Sequence, residues 1–204
     1  DVSDLSSVVN KIKSSGAQIV FGGISLNTAV LLAKTMNEYQ CDVQLCGSGT
    51  GFSDPSFLAS VGPEIANHIM STTAFNPMYG TREGEPTALY EKYLETHDSM
   101  PEETINGFCG MATILEAIEA AGSSDRDAIA DALYNMDLDD TSYPLWFTMF
   151  DGINFNTEGD ELGRYNQNAE VGATAGQILM QVIDGKWQLV WPTERATADI
   201  VANF

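Results

Sequence analysis

One pattern constrains this chain more than any other: a short apolar run, a glycine-rich corner, then apolar residues at helical spacing, and it occurs twice. Ala17 to Phe21 forms the first run and Gly22-Gly23 closes it. Leu26, Val30, Ala33 and Met36 then recur along one helix face behind Ser25 or Asn27 as cap. In the second copy Val43 to Cys46 predicts a strand and Gly47 to Gly51 a flexible loop. Asp54-Pro55 then supplies an N-cap with proline at the first helical position, before Phe57 and Leu58. Parallel strands need a crossover between them, and a helix is the usual one, so strand, glycine corner and helix together predict an α/β fold with a parallel sheet.

The remaining elements follow from the same periodicities. A first helix runs from Leu5 through Val8, Val9 and Ile12, with Ser3 as its cap and Gly16 as its stop. A third strand, about His68 to Ala74, follows Gly62-Pro63. Past Asn76-Pro77 the pattern turns helical: Pro86 to Thr96, Glu102 to Ala121 with Ile105, Phe108, Ala112, Leu115 and Ile118 on one stripe, and Asp125 to Met136. Strands return at Gly152 to Phe155, Gln177 to Ile183 and Lys186 to Trp191. Asp184-Gly185 between the last two predicts a β-hairpin, because a type I′ turn needs positive φ at both central residues. Trp187 and Trp191, four apart, are expected on one face of the final strand. The amphipathic middle helices lack nearby strands to cover their apolar stripes, which points to an upstream segment supplying the missing sheet.

Charge narrows the partners. Twenty-nine acidic residues against nine basic ones leave a net charge of −20, which repels phosphate backbones and anionic headgroups, so neither nucleic acid nor a membrane surface is an expected partner. The acids are spread along the chain and are expected to form a solvated surface suited to high salt. No run approaches the length of a membrane span, and the N-terminal residues lack the regions of a secretory signal.

Catalytic and metal signatures are weak. The only histidines, His68 and His97, are expected at the start of a core strand and the end of an exposed helix. Around Gly47 to Gly51 the Gly-x-Gly-x-x-Gly pattern fails at Phe52, no lysine follows, and Cys46 stands where a nucleophile elbow needs glycine. Asn154, Asn156, Glu158 and Gly159 imitate half an EF-hand loop, but Tyr165 occupies the position of its bidentate glutamate. Asp137, Asp139 and Asp140 are expected in a solvated loop. Cys41 and Cys46 bracket a strand too long for a disulfide, so Cys41, Cys46 and Cys109 are expected as free thiols. No catalytic residue, metal or cofactor is expected. What remains is a backbone loop at the carboxyl end of a parallel strand, where open α/β sheets hold ligands.

Segments in order along nearly the whole chain resemble one family. They include Asn10-Lys11-Ile12-Lys13 through Gly16 to Gly23, Gly47-Ser48-Gly49 with Ser53 to Phe57, and Tyr90-Glu91-Lys92-Tyr93. The others are Ala117 to Asp125, Ala128 to Leu133, Gly152 to Gly159, and Gln181 to Lys186 leading to Val190-Trp191-Pro192. The chain resembles the branched-chain amino acid, amide and aromatic-acid binding proteins of ABC importers, with the type I periplasmic binding fold, over their second half. The resemblance implies a parallel three-layer αβα lobe, the helical part of a second lobe, and the C-terminal hairpin. Residues 1–75 would be the first part of the C-terminal lobe, 76–164 a portion of the N-terminal lobe, and 165–204 the return to the C-terminal lobe.

The implied function is capture of a small solute (an amino acid, amide, urea-like compound or aromatic acid) and delivery to permease subunits outside the cytoplasm. Location would be periplasmic or that of a cell-surface lipoprotein, with membrane contact only through the permease or an upstream anchor. Homo-oligomerisation is left open for a partial chain. A sensing domain of the same fold and an α/β enzyme are the rival readings. The resemblance assigns Ile24 and Ser25 to the corner where such binders often present an aromatic ring. It assigns Gly49 to the place of an acid that pairs with the ligand ammonium. Neither Ile24 nor Gly49 has that chemistry, so an α-amino acid is not specified. Thr50 is read as a hydroxyl donor or as shaping the loop, and Phe52 as a stacking surface or as shaping the loop.

Overall fold

The computed structural model describes residues 2–73, 87–139, 152–154, 178–193 and 196–202. In chain order the elements are α1 (Ser6–Ser14), β1 (Ile19–Gly23), α2 (Leu26–Glu38), β2 (Gln44–Ser48), α3 (Thr50–Ser53), α4 (Ser56–Val61), α5 (Pro63–Ala66) and β3 (Met70–Thr73). Then come α6 (Thr87–Leu94), α7 (Glu102–Ala121), α8 (Arg126–Tyr134), β4 (Asp137–Asp139), β5 (Gly152–Asn154), β6 (Ile178–Ile183) and β7 (Lys186–Trp191). They divide into two compact units, Asp1–Ala74 with Gln177–Phe204, and Phe75–Gly176.

In the first unit five strands form one sheet in the order β1-β2-β3-β6-β7. β1, β2 and β3 are parallel, as the repeated strand–corner–helix pattern requires. The hairpin then adds two antiparallel strands beside β3, so the sheet is mixed and not wholly parallel. One sheet face, carrying Leu45 and Val182, packs on Val9 of α1, Leu32 and Met36 of α2, and Phe57 of α4. The other face of β1 leaves Ile19 and Phe21 exposed at 55% and 61%.

Several boundaries differ from expectation for physical reasons. Gly22 and Gly23 extend β1 instead of turning it, pairing in register with Gly47 and Ser48. The first turn of α1 is held by Asp4, whose carboxylate accepts from the Ser6 N–H at 2.7 Å, and not by Ser3. α5 was not expected; it starts at Pro63, directly after Gly62 with φ of +91°. His68 is not the first residue of β3 but part of the preceding turn, at φ of +70°. The Asp184-Gly185 turn has φ of +51° and +74°, the signs that a type I′ turn requires.

Trp187 and Trp191 do not share a face. A register shift between Leu179 and Met180 pairs Met180 with Leu189 but Leu179 with Trp191, so Val190 is the extra residue of a bulge. Trp187 packs near Phe57 in the core, whereas Trp191 is 44% exposed.

In the second unit α7 and α8 pack on each other. Gly122, left-handed at φ of +56°, closes α7 by donating to the Ile118 and Glu119 carbonyls. Asp125 caps α8, its carboxylate accepting from the Asp127 and Ala128 N–H groups at 3.1 and 3.0 Å. Asp137 and Asp139, expected in a loop, belong to β4, which pairs antiparallel with β5 and sets Leu138 opposite Ile153. A three-residue alternation is too short to announce itself in a sequence. Asp140, Asn156, Glu158, Gly159 and Tyr165 lie outside the described residues.

Candidate functional site

The parallel pairing of β1 and β2 sets their carboxyl ends side by side, with Gly23 opposite Ser48. Two corners leave from there. The first, Ile24-Ser25, enters α2. Ser25 stands at its N-cap, where its hydroxyl lies 3.1 Å from that of Thr28 and makes no bond to the helix backbone. The second corner turns at Gly49, whose φ of +72° needs glycine, and enters α3 at Thr50. The Gly49 carbonyl accepts from the Ser53 N–H at 3.2 Å and the Ser53 hydroxyl at 2.9 Å.

The corners touch through Gly51. A β-carbon there would stand 1.9 Å from the Ile24 carbonyl oxygen, so the second corner can lie against the first only because residue 51 has no side chain. Gly47 plays a matching part below, since a β-carbon on it would meet the Phe52 ring at 2.0 Å.

Ile24, Ser25, Gly49 and Thr50 are thus brought together on adjacent corners, with Ser25 and Gly49 exposed and Ile24 half-buried. The side chain of Thr50 lies outside the described residues. Phe52 has no exposed surface. Its ring centroid lies 5.3 Å from that of Phe57 inside the core, so it offers no stacking face to a ligand and instead shapes the loop from beneath. Spacing did not disclose Gly51 or Gly47, because a missing side chain carries no periodicity.

The corners offer polar backbone and little charge. The leading N–H groups of α2 have no partner within the helix and carry the positive end of its dipole, which suits a carboxylate or a polarised carbonyl oxygen. No acidic residue stands between Phe21 and Ser53 on either corner segment (22–28 and 47–53) to meet an ammonium group. Burial pushes the Cys46 thiol of β2 up, against a smaller lowering by the Gly47 N–H, so it stays protonated near neutral pH and is a poor nucleophile. His97 stacks on Tyr93 with ring centroids 4.0 Å apart, and the His68 carbonyl accepts from the buried amides of Gln44 and Gln181. Among the described residues no cluster of three or more metal-ligating side chains occurs.

A cavity of about 770 Å³ opens at the opposite, amino end of β2 and β3, lined in part by Lys13, Gln40, Cys41 and Asn67. Its lysine donates to the Tyr39 carbonyl at 2.6 Å. Position favours the corners as the site, because ligands of open α/β sheets gather at the carboxyl ends of the strands.

A model of the family described as periplasmic binding protein matches residues 1–185. The chain belongs to this family. Among its relatives, a Leu/Ile/Val-binding protein homologue of Brucella abortus is 25% identical over 200 residues, which are 96% of this chain and 46% of the relative. A leucine-binding protein from Thermotoga maritima matches in structure with a TM-score of 0.67 and 19% identity, over 92% of this chain and 48% of the other. A branched-chain amino acid ABC transporter protein from Thermus thermophilus with bound valine gives a TM-score of 0.63 and 16% identity over the same shares, 92% and 48%. The fold is that of type I periplasmic binding proteins. The chain spans about half the length of the curated relatives it matches.

Proposed function

We propose that this chain is the solute-holding part of an extracytoplasmic binding protein that delivers a small polar or amphipathic solute to an ABC importer. The observation that supports this most directly is the pair of exposed corners held together by Gly51 at the carboxyl ends of two parallel strands. In this reading residues 1–75 and 165–204 form the C-terminal lobe and 76–164 a portion of the N-terminal lobe. The division of the chain near residues 74 and 177 supports that scheme. Ligand would be held by backbone and small hydroxyls of the corners, with Ile24, Ser25, Gly49 and Thr50 as the contributing residues.

The names of the relatives make branched-chain amino acids the first solutes to test. With Ile24 in place of an aromatic ring and Gly49 in place of an acid, amides, urea-like compounds and aromatic acids belong in the same panel. A polarised oxygen of the solute would face the first turn of α2. The permease is the macromolecular partner, and the action is binding without turnover.

The test is thermal unfolding against that panel, with each solute assayed before and after incubation. One class is expected to raise the melting temperature, by the equivalent of about 2.7 kcal/mol at about one hundred times its dissociation constant, and to be recovered unchanged. Consumption of the stabilising solute would make the chain an enzyme. Stabilisation by none of the classes would remove the binding assignment.

A further inference from the structure

The two units have equal lengths, 102 residues each, but very unequal charge. The first holds five basic and nine acidic residues, a net of −4; the second holds four and twenty, a net of −16. Three helices in the second unit repeat one arrangement. Glu91 of α6 with Glu95 in the turn that follows it, Glu116 and Glu119 on α7, and Asp127 and Asp131 on α8 are like charges three or four residues apart, which makes them surface neighbours that repel. In the first unit α2 carries the opposite arrangement, Lys34 four residues before Glu38.

Two more observations leave that repulsion poorly opposed. Among the described residues of the second unit the single ion pair is Arg126 with Asp127 at 3.2 Å, both side chains more than four-fifths exposed, which is worth little. The apolar stripe of α7 is also uncovered: Met111 and Leu115 are 60% and 56% exposed, while Met100, Thr113, Ala117 and Met136 are the described side chains of this unit that are buried. With little burial among its described residues and a net charge of −16, this unit depends on its solvent for the balance between folding and self-repulsion.

We infer that the second unit is an ionic-strength-dependent folding element: high salt holds it folded, low salt loosens it, and the first unit keeps its fold in both. The physical basis is screening. The Debye length falls from about 10 Å at about 0.1 M salt to about 3 Å at about 1 M, which is shorter than the span of one helical turn, about 5.4 Å. Neighbouring carboxylates on α6, α7 and α8 then cease to repel strongly, and the helix pair closes.

Hydrogen–deuterium exchange of the whole chain, resolved by segment, reads this directly. Between about 0.1 M and about 1 M potassium chloride, exchange in α7 and α8 is expected to slow by about tenfold or more, and exchange in α2 and β2 by less than about twofold. A variant carrying Glu95→Gln, Glu119→Gln and Asp131→Asn is expected to show much of that protection at low salt. A matched variant with Glu38→Gln, Asp42→Asn and Glu64→Gln is expected to leave the salt response unchanged. Equal responses of the two units would overturn the inference. So would reproduction of the effect by sucrose, which strengthens apolar burial without screening charge. Both salts are compared at a protein dilution where sedimentation shows a monomer, and a salt response absent from that monomer would mark association and would overturn it as well.

Discussion

A methyl group added at position 51 would have to displace the Ile24 backbone, because its carbon would stand 1.9 Å from that carbonyl oxygen. At position 49 the same methyl meets nothing within 4 Å, and only the positive φ opposes it. The two glycines, two residues apart in one loop, therefore predict different outcomes. Gly51→Ala is expected to push the corners apart, lowering stability by about 1–3 kcal/mol as overpacking does and abolishing stabilisation by solute. Gly49→Ala is expected to cost about 1–2 kcal/mol of backbone strain while keeping the corners in contact and solute binding measurable. Melting curves with and without solute check both, and equal loss of binding in the two variants would contradict the role given to Gly51. Nothing in the sequence separates these two glycines. Their difference lies in what stands opposite each one in space, which is also why Phe52 was equally readable as a ligand platform and as the buried ring it is.

Elements were legible where their periodicity ran long. α7 spans Glu102–Ala121 as its stripe predicts, and the Asp184-Gly185 hairpin forms where turn chemistry demands it. Short or irregular elements were not legible. β4 offers one alternation, and the Val190 bulge reverses the face of Trp191 without leaving a mark in the residue pattern. The tail after the hairpin is another case. Gln181 of β6, fully buried, donates to the Val201 carbonyl at 2.7 Å and accepts from the Val201 N–H at 2.9 Å, and so ties the chain end to the sheet as a further strand would. Its amide also reaches the His68 carbonyl at 3.0 Å, joining that tail to the turn before β3. Gln181→Leu keeps the volume and removes these bonds. It is expected to cost about 0.5–1.5 kcal/mol, the net worth of hydrogen bonds lost to the half-buried Val201 backbone, and to release the Val201 amide to fast exchange. If that amide stays protected in the variant, the tail is held by something other than Gln181.

At the scale of the whole molecule, two apolar surfaces are set against one large charge. Ile19 and Phe21 on the outer face of β1, and Met111 with Leu115 on α7, are more than half exposed; clustered exposure of this kind drives association. A net charge of −20 opposes contact between copies at low ionic strength. Salt weakens the repulsion and leaves the apolar attraction intact, so the balance has a predictable sign. The chain is expected to be monomeric at about 0.05 M salt and to associate in proportion to protein concentration at about 1 M, where the Debye length is about 3 Å. Phe21→Ser and the pair Met111→Gln with Leu115→Gln separate the two surfaces, since each side chain already faces solvent and its replacement is expected to change stability by no more than about 0.5 kcal/mol. Whichever variant restores the monomer at high salt identifies the surface that joins the copies. Sedimentation velocity that showed one monomeric species of the unmodified chain at both salts and at high concentration would mean that neither apolar surface is cohesive, and the exposed stripe of α7 would then need a different account.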